Sequence, residues 1–185
     1  MYWIQLDTKS YTDGFGKAKE EAGFRKSYDP TAYCNTFNLH GGLHLFLGYV
    51  GDLHKRVKGA SGIIDAIADT ITREKRLPLY VAEGTSRAKL AKINSVPYLR
   101  HCYEKLMACT GNVFVFGHSA SANDAHIYSA LFGSKIEVLY FGVYKPTDES
   151  VRLIESQLSM FQKLHKRKVD YVLYDAGSAN VWGDL

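Results

Sequence analysis

A histidine followed by two glycines, His40-Gly41-Gly42, is the first group in this chain whose type and placement suit chemistry. The aromatic and apolar run at residues 33–37 precedes it and predicts a buried strand. Ligands of open α/β sheets bind beyond the carboxyl ends of the strands, and glycine lets backbone and ligand approach closely. His40 is therefore a candidate base, although a lone histidine beside an apolar strand is often a core residue.

A second group, Gly117-His118-Ser119, follows the apolar run at residues 113–116, which predicts a strand covered on both faces. One interpretation is a nucleotide-contacting turn, in which Gly117 permits close approach and Ser119 donates to a phosphate or ribose. An equally weighted alternative is a plain helix-entry turn with a capping serine.

The same turn has a less favoured interpretation as the nucleophile elbow of an α/β hydrolase, whose pattern is G-x-S-x-G. The last glycine of that pattern is Ser121 here. The acid and histidine that should follow are also in the wrong order, because Asp175 comes after His165.

Strands and helices alternate after His40, and this pattern predicts an α/β fold with a mostly parallel, Rossmann-like sheet and helices on both faces. Helical spacing between the two motifs predicts a small inserted helical module at residues 48–111. The sheet is expected to be incomplete, because the chain has neither G-x-G-x-x-G nor G-x-x-x-x-G-K. The apolar start at residues 1–6 predicts a helix entered midway.

Composition excludes several classes of function. The net charge of +4 is small and the basic residues are scattered, which does not favour nucleic acid as a partner. No apolar run is long enough to span a membrane. The three cysteines show neither metal-ligand nor redox spacing, so we expect a cytoplasmic protein without a disulfide framework. His44 could partner His40 on a metal, but no third ligand has suitable spacing, and no metal site is expected.

Together, the motifs resemble a known family. Leu39-His40-Gly41, the Glu83-Gly84 segment, the turn at residues 117–119 and Asn123-Asp124 occur in the order found in the sirtuin-like domain of bacterial and phage proteins. Within that group, the chain is most similar to an uncharacterised family of unknown function. The resemblance covers residues 1–144, and we therefore interpret residues 1–185 as one sirtuin-like domain.

The resemblance implies NAD as the ligand, with His40 matching the catalytic histidine. It also implies a set of nucleotide-binding residues: Gly41, Gly117, His118, Ser119, Asn123 and Asp124. Related domains in anti-phage defence hydrolyse NAD, whereas sirtuins proper deacylate lysine. The zinc-binding cysteine pairs of sirtuins proper are absent here, which favours NAD glycohydrolysis with release of nicotinamide.

One departure from the family limits this interpretation. The phosphate loop and the asparagine-bearing strand of the family would lie before Met1, so the chain is expected to be the carboxy-terminal portion of such a domain. An alternative function is therefore a non-catalytic nucleotide-binding or interaction remnant. Its unpaired sheet edge would suit a homo-oligomer or a separate amino-terminal half as partner.

Overall fold

A computed structural model describes residues 3–5, 12–15, 25–49, 51–57, 62–81 and 83–179. The chain divides into two units, which are described separately below. Unit 1 comprises Met1–Glu83 and Ala91–Cys102, and unit 2 comprises Gly84–Leu90 and Tyr103–Leu185. Helices and strands occur in both, and the predicted α/β class is confirmed.

Among its described residues, unit 1 contains six short strands and one helix of its own, besides parts of the two shared helices given below. Its strands are β1 (Trp3–Gln5), β2 (Arg25–Ser27), β3 (Thr36–Asn38), β4 (Gly41–Leu47), β5 (Leu53–Arg56) and β6 (Pro78–Tyr80), and its helix is α1 (Ile63–Thr72). β1 pairs with β3, and the other four strands form a sheet in the order β2-β5-β4-β6. Every pairing is antiparallel, so the mostly parallel sheet predicted from the sequence does not extend to this unit.

Two predictions about local structure in unit 1 are wrong. The helix expected at the amino terminus is strand β1 in its described part, and the predicted loop after Gly48 contains β5. β5 carries two basic residues, and these are neutralised by distant partners: Lys55 pairs with Asp13, and Arg56 pairs with Glu74. Because β5 consists largely of polar residues, its sequence shows no apolar alternation that would predict a strand.

Gly41 is needed where β4 passes close to β6. Its φ is +70°, and a Cβ built at this position would lie 2.1 Å from the carbonyl oxygen of Leu79. A backbone hydrogen bond holds the two segments together beside Gly41, because the Val81 N–H donates to the carbonyl oxygen of His40 at 2.9 Å. Backbone packing thus accounts for glycine at residue 41 without a ligand.

We expect Gly41→Ala to destabilise unit 1 by roughly 2–4 kcal/mol, the sum of the left-handed φ and of overpacking against Leu79. Gly117→Ala is the matched control, since its φ is +68° and no atom lies within 4 Å of the added Cβ. The control should lose only about 1 kcal/mol. Denaturant unfolding of both variants measures the difference, and equal losses would contradict the clash.

Helices α2 (Ser86–Ser95) and α3 (Pro97–Met107) each contribute residues to both units. The rest of unit 2 alternates strands and helices: β7 (Thr110–Val115), α4 (Ala125–Gly133), β8 (Lys135–Val143), α5 (Asp148–Lys163) and β9 (Asp170–Asp175). Short 3-10 turns precede α4 (Ala122–Asp124) and follow β9 (Ala176–Ala179). The three strands are parallel in the order β7-β8-β9, as predicted for this part of the chain.

One face of this parallel sheet forms the core of unit 2. Leu139 and Phe141 of β8 are fully buried, and α4 packs against both β8 and α5. α5 begins at a capping box made by Thr147 and Ser150. Its apolar residues recur at helical spacing, so that Leu158 and Phe161 are buried.

The prediction that the run at residues 113–116 is covered on both faces is wrong. β7 is a strand as expected, but within the described part of the chain it pairs only with β8. Phe114 is 69% exposed and Phe116 is 42% exposed. The described helix that packs on β8 is α4, and its Tyr128 contacts Phe141 on the same face as Leu139, which leaves the Phe114 face open.

Among the described residues, no helix combines the length and apolar character needed to cross a bilayer.

Candidate functional site

The Gly117-His118-Ser119 turn follows β7 at the carboxyl end of a parallel strand, as predicted. Gly117 adopts φ +68° with open space around its Cα, and both Gly117 and Ser119 are exposed. The turn then enters the 3-10 helix before α4, where the Ser121 hydroxyl accepts the N–H of Asn123 at 3.3 Å. The turn therefore presents backbone and one hydroxyl to solvent, which suits contact with a ligand.

Behind the turn, unit 2 holds a buried group of polar side chains that we call the polar cluster. Its members are Ser86, Lys89, His118, Asp124, His126 and Tyr128. α2 supplies the first two residues, the turn supplies His118, and the start of α4 supplies the others.

His118 is held in one orientation by two donors. Its Nδ1 accepts the Ala120 N–H at 3.0 Å and also contacts the hydroxyl of Tyr128. Because Nδ1 accepts, the proton of the neutral ring lies on Nε2, which faces the Asp124 carboxylate at 3.7 Å. Burial lowers the pKa of His118, while Asp124 acts to raise it and Lys89 to lower it. A neutral ring at pH 7 follows.

Asp124 and Lys89 form a buried ion pair. The Lys89 Nζ lies 2.7 Å from Oδ1 of Asp124, and the side chains are only 10% and 7% exposed. Asp124 also immediately precedes α4 as its N-cap residue, so its negative charge lies at the positive end of that helix. The pair thus fixes one carboxylate beside His118 in a place with little water.

His126 is bonded to Ser86 through both its backbone and its ring. Ser86 Oγ accepts the His126 N–H at 2.8 Å, and its own proton is then available for His126 Nδ1 at 3.1 Å. Tyr103 donates its hydroxyl to the His126 carbonyl at 2.9 Å. Burial lowers the pKa of His126 to about 4; of its charged neighbours, Asp124 acts to raise that pKa and Lys89 to lower it.

This lowered pKa predicts a loss of stability in acid. The ordinary pKa of histidine is 6.5, so between pH 6.5 and about 4 the unfolded chain binds a proton that folded His126 does not. The contribution of His126 to the free energy of unfolding should therefore fall over that window, by up to about 3 kcal/mol, and not change further below it. Above pH 6.5 this contribution is constant.

Denaturant unfolding across this pH range measures the effect against His126→Gln, which accepts a hydrogen bond from Ser86 but does not titrate. The wild-type stability should decline more steeply than that of the variant as the pH falls. Parallel curves would contradict the assignment to His126.

His40 and Gly41 lie in unit 1, and the other predicted site residues lie in unit 2. His40 is 1% exposed and occupies the turn between β3 and β4, which belong to antiparallel sheets. The expectation that it follows a strand of an open parallel sheet is therefore wrong. The preceding Asn38 is anchored by the Tyr98 hydroxyl, which lies 3.1 Å from its Nδ2.

Within unit 2, the structure brings His118 and Asp124 together, and it places Ser119 and Asn123 on the surface. Sequence reasoning gave no chemical role to Lys89, Ser86 or Tyr128. Thr85 and Ser86 are both residue types that can cap α2, and the sequence alone does not choose between them. The Thr85 hydroxyl is what accepts from that helix, at 3.3 Å from the Ala88 N–H, and Ser86 bonds His126 instead.

Comparison with known proteins identifies the family of this chain, and the function of that family is unknown. No curated protein and no solved structure matches the chain. A model for a domain of unknown function, DUF4917, matches residues 1–182. Since the match covers nearly the whole sequence, the chain belongs to the DUF4917 family.

Proposed function

We propose that this protein binds NAD through the turn at residues 117–119 and cleaves the bond between nicotinamide and ribose. The observation that carries the proposal is the pairing of an exposed, glycine-led turn with the buried polar cluster at the carboxyl end of a parallel strand. That end of a parallel sheet is where nucleotides bind in α/β proteins. The sirtuin-like order of the motifs supports NAD as the nucleotide.

The proposal gives roles to the turn, to Asn123 and to two residues of the polar cluster. Gly117 lets the nucleotide approach the backbone, and the exposed hydroxyl of Ser119 bonds a phosphate or ribose oxygen. Asn123 is exposed on the following turn and extends the same polar surface. His118 and Asp124 lie beneath it, where a fixed carboxylate favours the positive charge that develops on ribose as nicotinamide leaves.

His40 supplies the base in this mechanism, a role that the sequence resemblance gives it. A neutral imidazole accepts a proton from a ribose hydroxyl or from water as the glycosidic bond breaks. Water then adds to the ribose carbon, and the products are nicotinamide and ADP-ribose. We place the activity in the cytoplasm, because three cysteines with neither metal-ligand nor redox spacing suit a reducing compartment.

The direct experiment is to incubate the purified protein with NAD and to quantify nicotinamide by chromatography, with NAD binding measured separately by calorimetry. Binding with release of nicotinamide is expected. Binding without release would favour the second candidate, a non-catalytic nucleotide-binding module that acts through association. The open Phe114 face of the parallel sheet is the observation that favours that alternative. A protein that neither binds NAD nor releases nicotinamide would contradict both candidate functions.

Ser119→Ala should weaken NAD binding roughly tenfold, because one hydrogen bond to a charged phosphate contributes about 1.5 kcal/mol. Ser121→Ala is the matched control in the same turn. Its hydroxyl bonds the Asn123 N–H, so its loss should lower stability and leave the affinity unchanged. Calorimetric titration of both variants with NAD makes the comparison. Equal affinities for the two variants would contradict the assigned contact.

A further inference from the structure

The open face of the parallel sheet in unit 2 is unusual, because parallel sheets are normally covered on both sides. The registers place Phe114, Tyr140 and Val172 side by side in one row across β7, β8 and β9. Phe114 is 69% exposed, and Val172 is 45% exposed. The rings of Phe114 and Tyr140 stack at 4.7 Å between centroids. A continuous apolar row of this kind, left in water, marks an interaction surface.

The next row makes this face flat. Tyr174 extends across Gly142 of the central strand, and its hydroxyl donates to the Val115 carbonyl of β7 at 3.3 Å. A Cβ at residue 142 would lie 2.9 Å from the tyrosine ring. The absence of a side chain at Gly142 therefore lets the ring lie over the sheet, and the surface has no central ridge that would keep another flat surface away.

We propose that this face, defined by Phe114, Val138, Tyr140, Val172 and Tyr174, is where a second copy of the chain packs to form a two-fold dimer. The five side chains are uncharged, so an identical face can be placed against them without like-charge repulsion. The charged residue of the neighbouring row, Asp170, lies at the amino-terminal end of β9 and pairs in register with Val138. A two-fold axis that lies in the interface and runs across the strands at Tyr140 would place the two copies of this carboxylate at opposite ends of the interface.

The size of the face agrees with such a dimer. Three strands, about 4.8 Å apart and six residues long, give a face of roughly 14 Å by 20 Å. Two such faces cover roughly 560 Å² before their rims are counted, which is the size of a small interface of the weak, concentration-dependent kind. Sheets stacked face to face pack about 10 Å apart through interdigitating side chains of this kind.

The experiment is sedimentation velocity of the intact chain over a wide dilution series. We expect a concentrated sample to show twice the single-chain mass of 20.8 kDa, and dilution to dissociate it. Phe114→Lys and Val172→Lys should each give a single-chain mass at every concentration. The control is Leu153→Lys on α5, which replaces an apolar side chain that is 58% exposed and outside this face. It should dimerise like the wild type.

Circular dichroism and the Tm of each variant report folding, and Val172→Lys tests the interface if Phe114→Lys does not fold. A wild-type protein with the single-chain mass at every concentration would overturn the proposal. The face would then be a site for a different partner, such as a helix of another protein. A dimer that survives both lysine variants, or one that Leu153→Lys also dissociates, would overturn it as well. These outcomes do not depend on whether the protein binds NAD.

Discussion

Lys89→Met is expected to destabilise unit 2 by about 3–5 kcal/mol, because it leaves the Asp124 carboxylate buried without its cation. The two side chains meet at 2.7 Å and are almost fully buried, so water cannot replace the ammonium group at little cost. Methionine has a similar length and keeps most of the packing. Denaturant unfolding at pH 7 measures the loss.

Two comparisons isolate the charge effect. Lys92→Met removes an exposed lysine from the next turn of α2 and should change stability by less than about 0.5 kcal/mol. Adding Asp124→Asn to Lys89→Met removes the buried negative charge and should recover much of the lost stability. If Lys89→Met is as mild as Lys92→Met, the ion pair does not hold this part of the unit together.

His40→Ala is expected to lower the rate of nicotinamide release about 10²- to 10⁴-fold, the usual contribution of a general base. His40 is 1% exposed, so truncation also leaves a cavity, and the Tm must be measured for each variant. His40→Gln keeps a hydrogen-bonding side chain of similar size but does not accept a proton at neutral pH. It should be as inactive as the alanine variant while retaining more stability.

The control is His101→Ala, which removes another histidine of unit 1, one that packs against Phe37. It should keep its turnover once any change in stability is taken into account. If His40→Gln releases nicotinamide at the parental rate, His40 is not the base. If neither the parent nor any variant releases nicotinamide but the parent binds NAD, the non-catalytic alternative is favoured.

The helices and the parallel strands could be predicted because their signals are local. α1, α3 and α5 follow helical spacing, and β8 and β9 contain the apolar runs at residues 138–141 and 171–174. Unit 1 could not be predicted in this way. β1 has three residues and pairs with the distant β3, and β5 has four residues whose two basic side chains pair with distant acids. Neither period nor propensity therefore identifies them. The apolar run at residues 113–116 predicts a central strand covered on both faces. The same run also suits β7, which has one open face.

The candidate site was predictable only in part for the same reason. A turn such as Gly117-His118-Ser119 is a contiguous motif, and Asp124 lies a few residues beyond it. Lys89 is 35 residues before Asp124, and Ser86 is 40 residues before His126. Nothing in the composition of α2 indicates that these two side chains turn toward the start of α4. Only the tertiary structure shows that Lys89 pairs with Asp124 and that Ser86 bonds His126.

Because residues 84–90 belong to unit 2, this unit cannot be isolated by a single cut in the gene. A fragment that begins at Tyr103 would contain Asp124 but not the ammonium group that neutralises it. The same fragment would lack the hydroxyl that bonds the first turn of α4. Expression of this half as an independent protein therefore requires a circularly rearranged or fused chain that returns the short α2 segment to it.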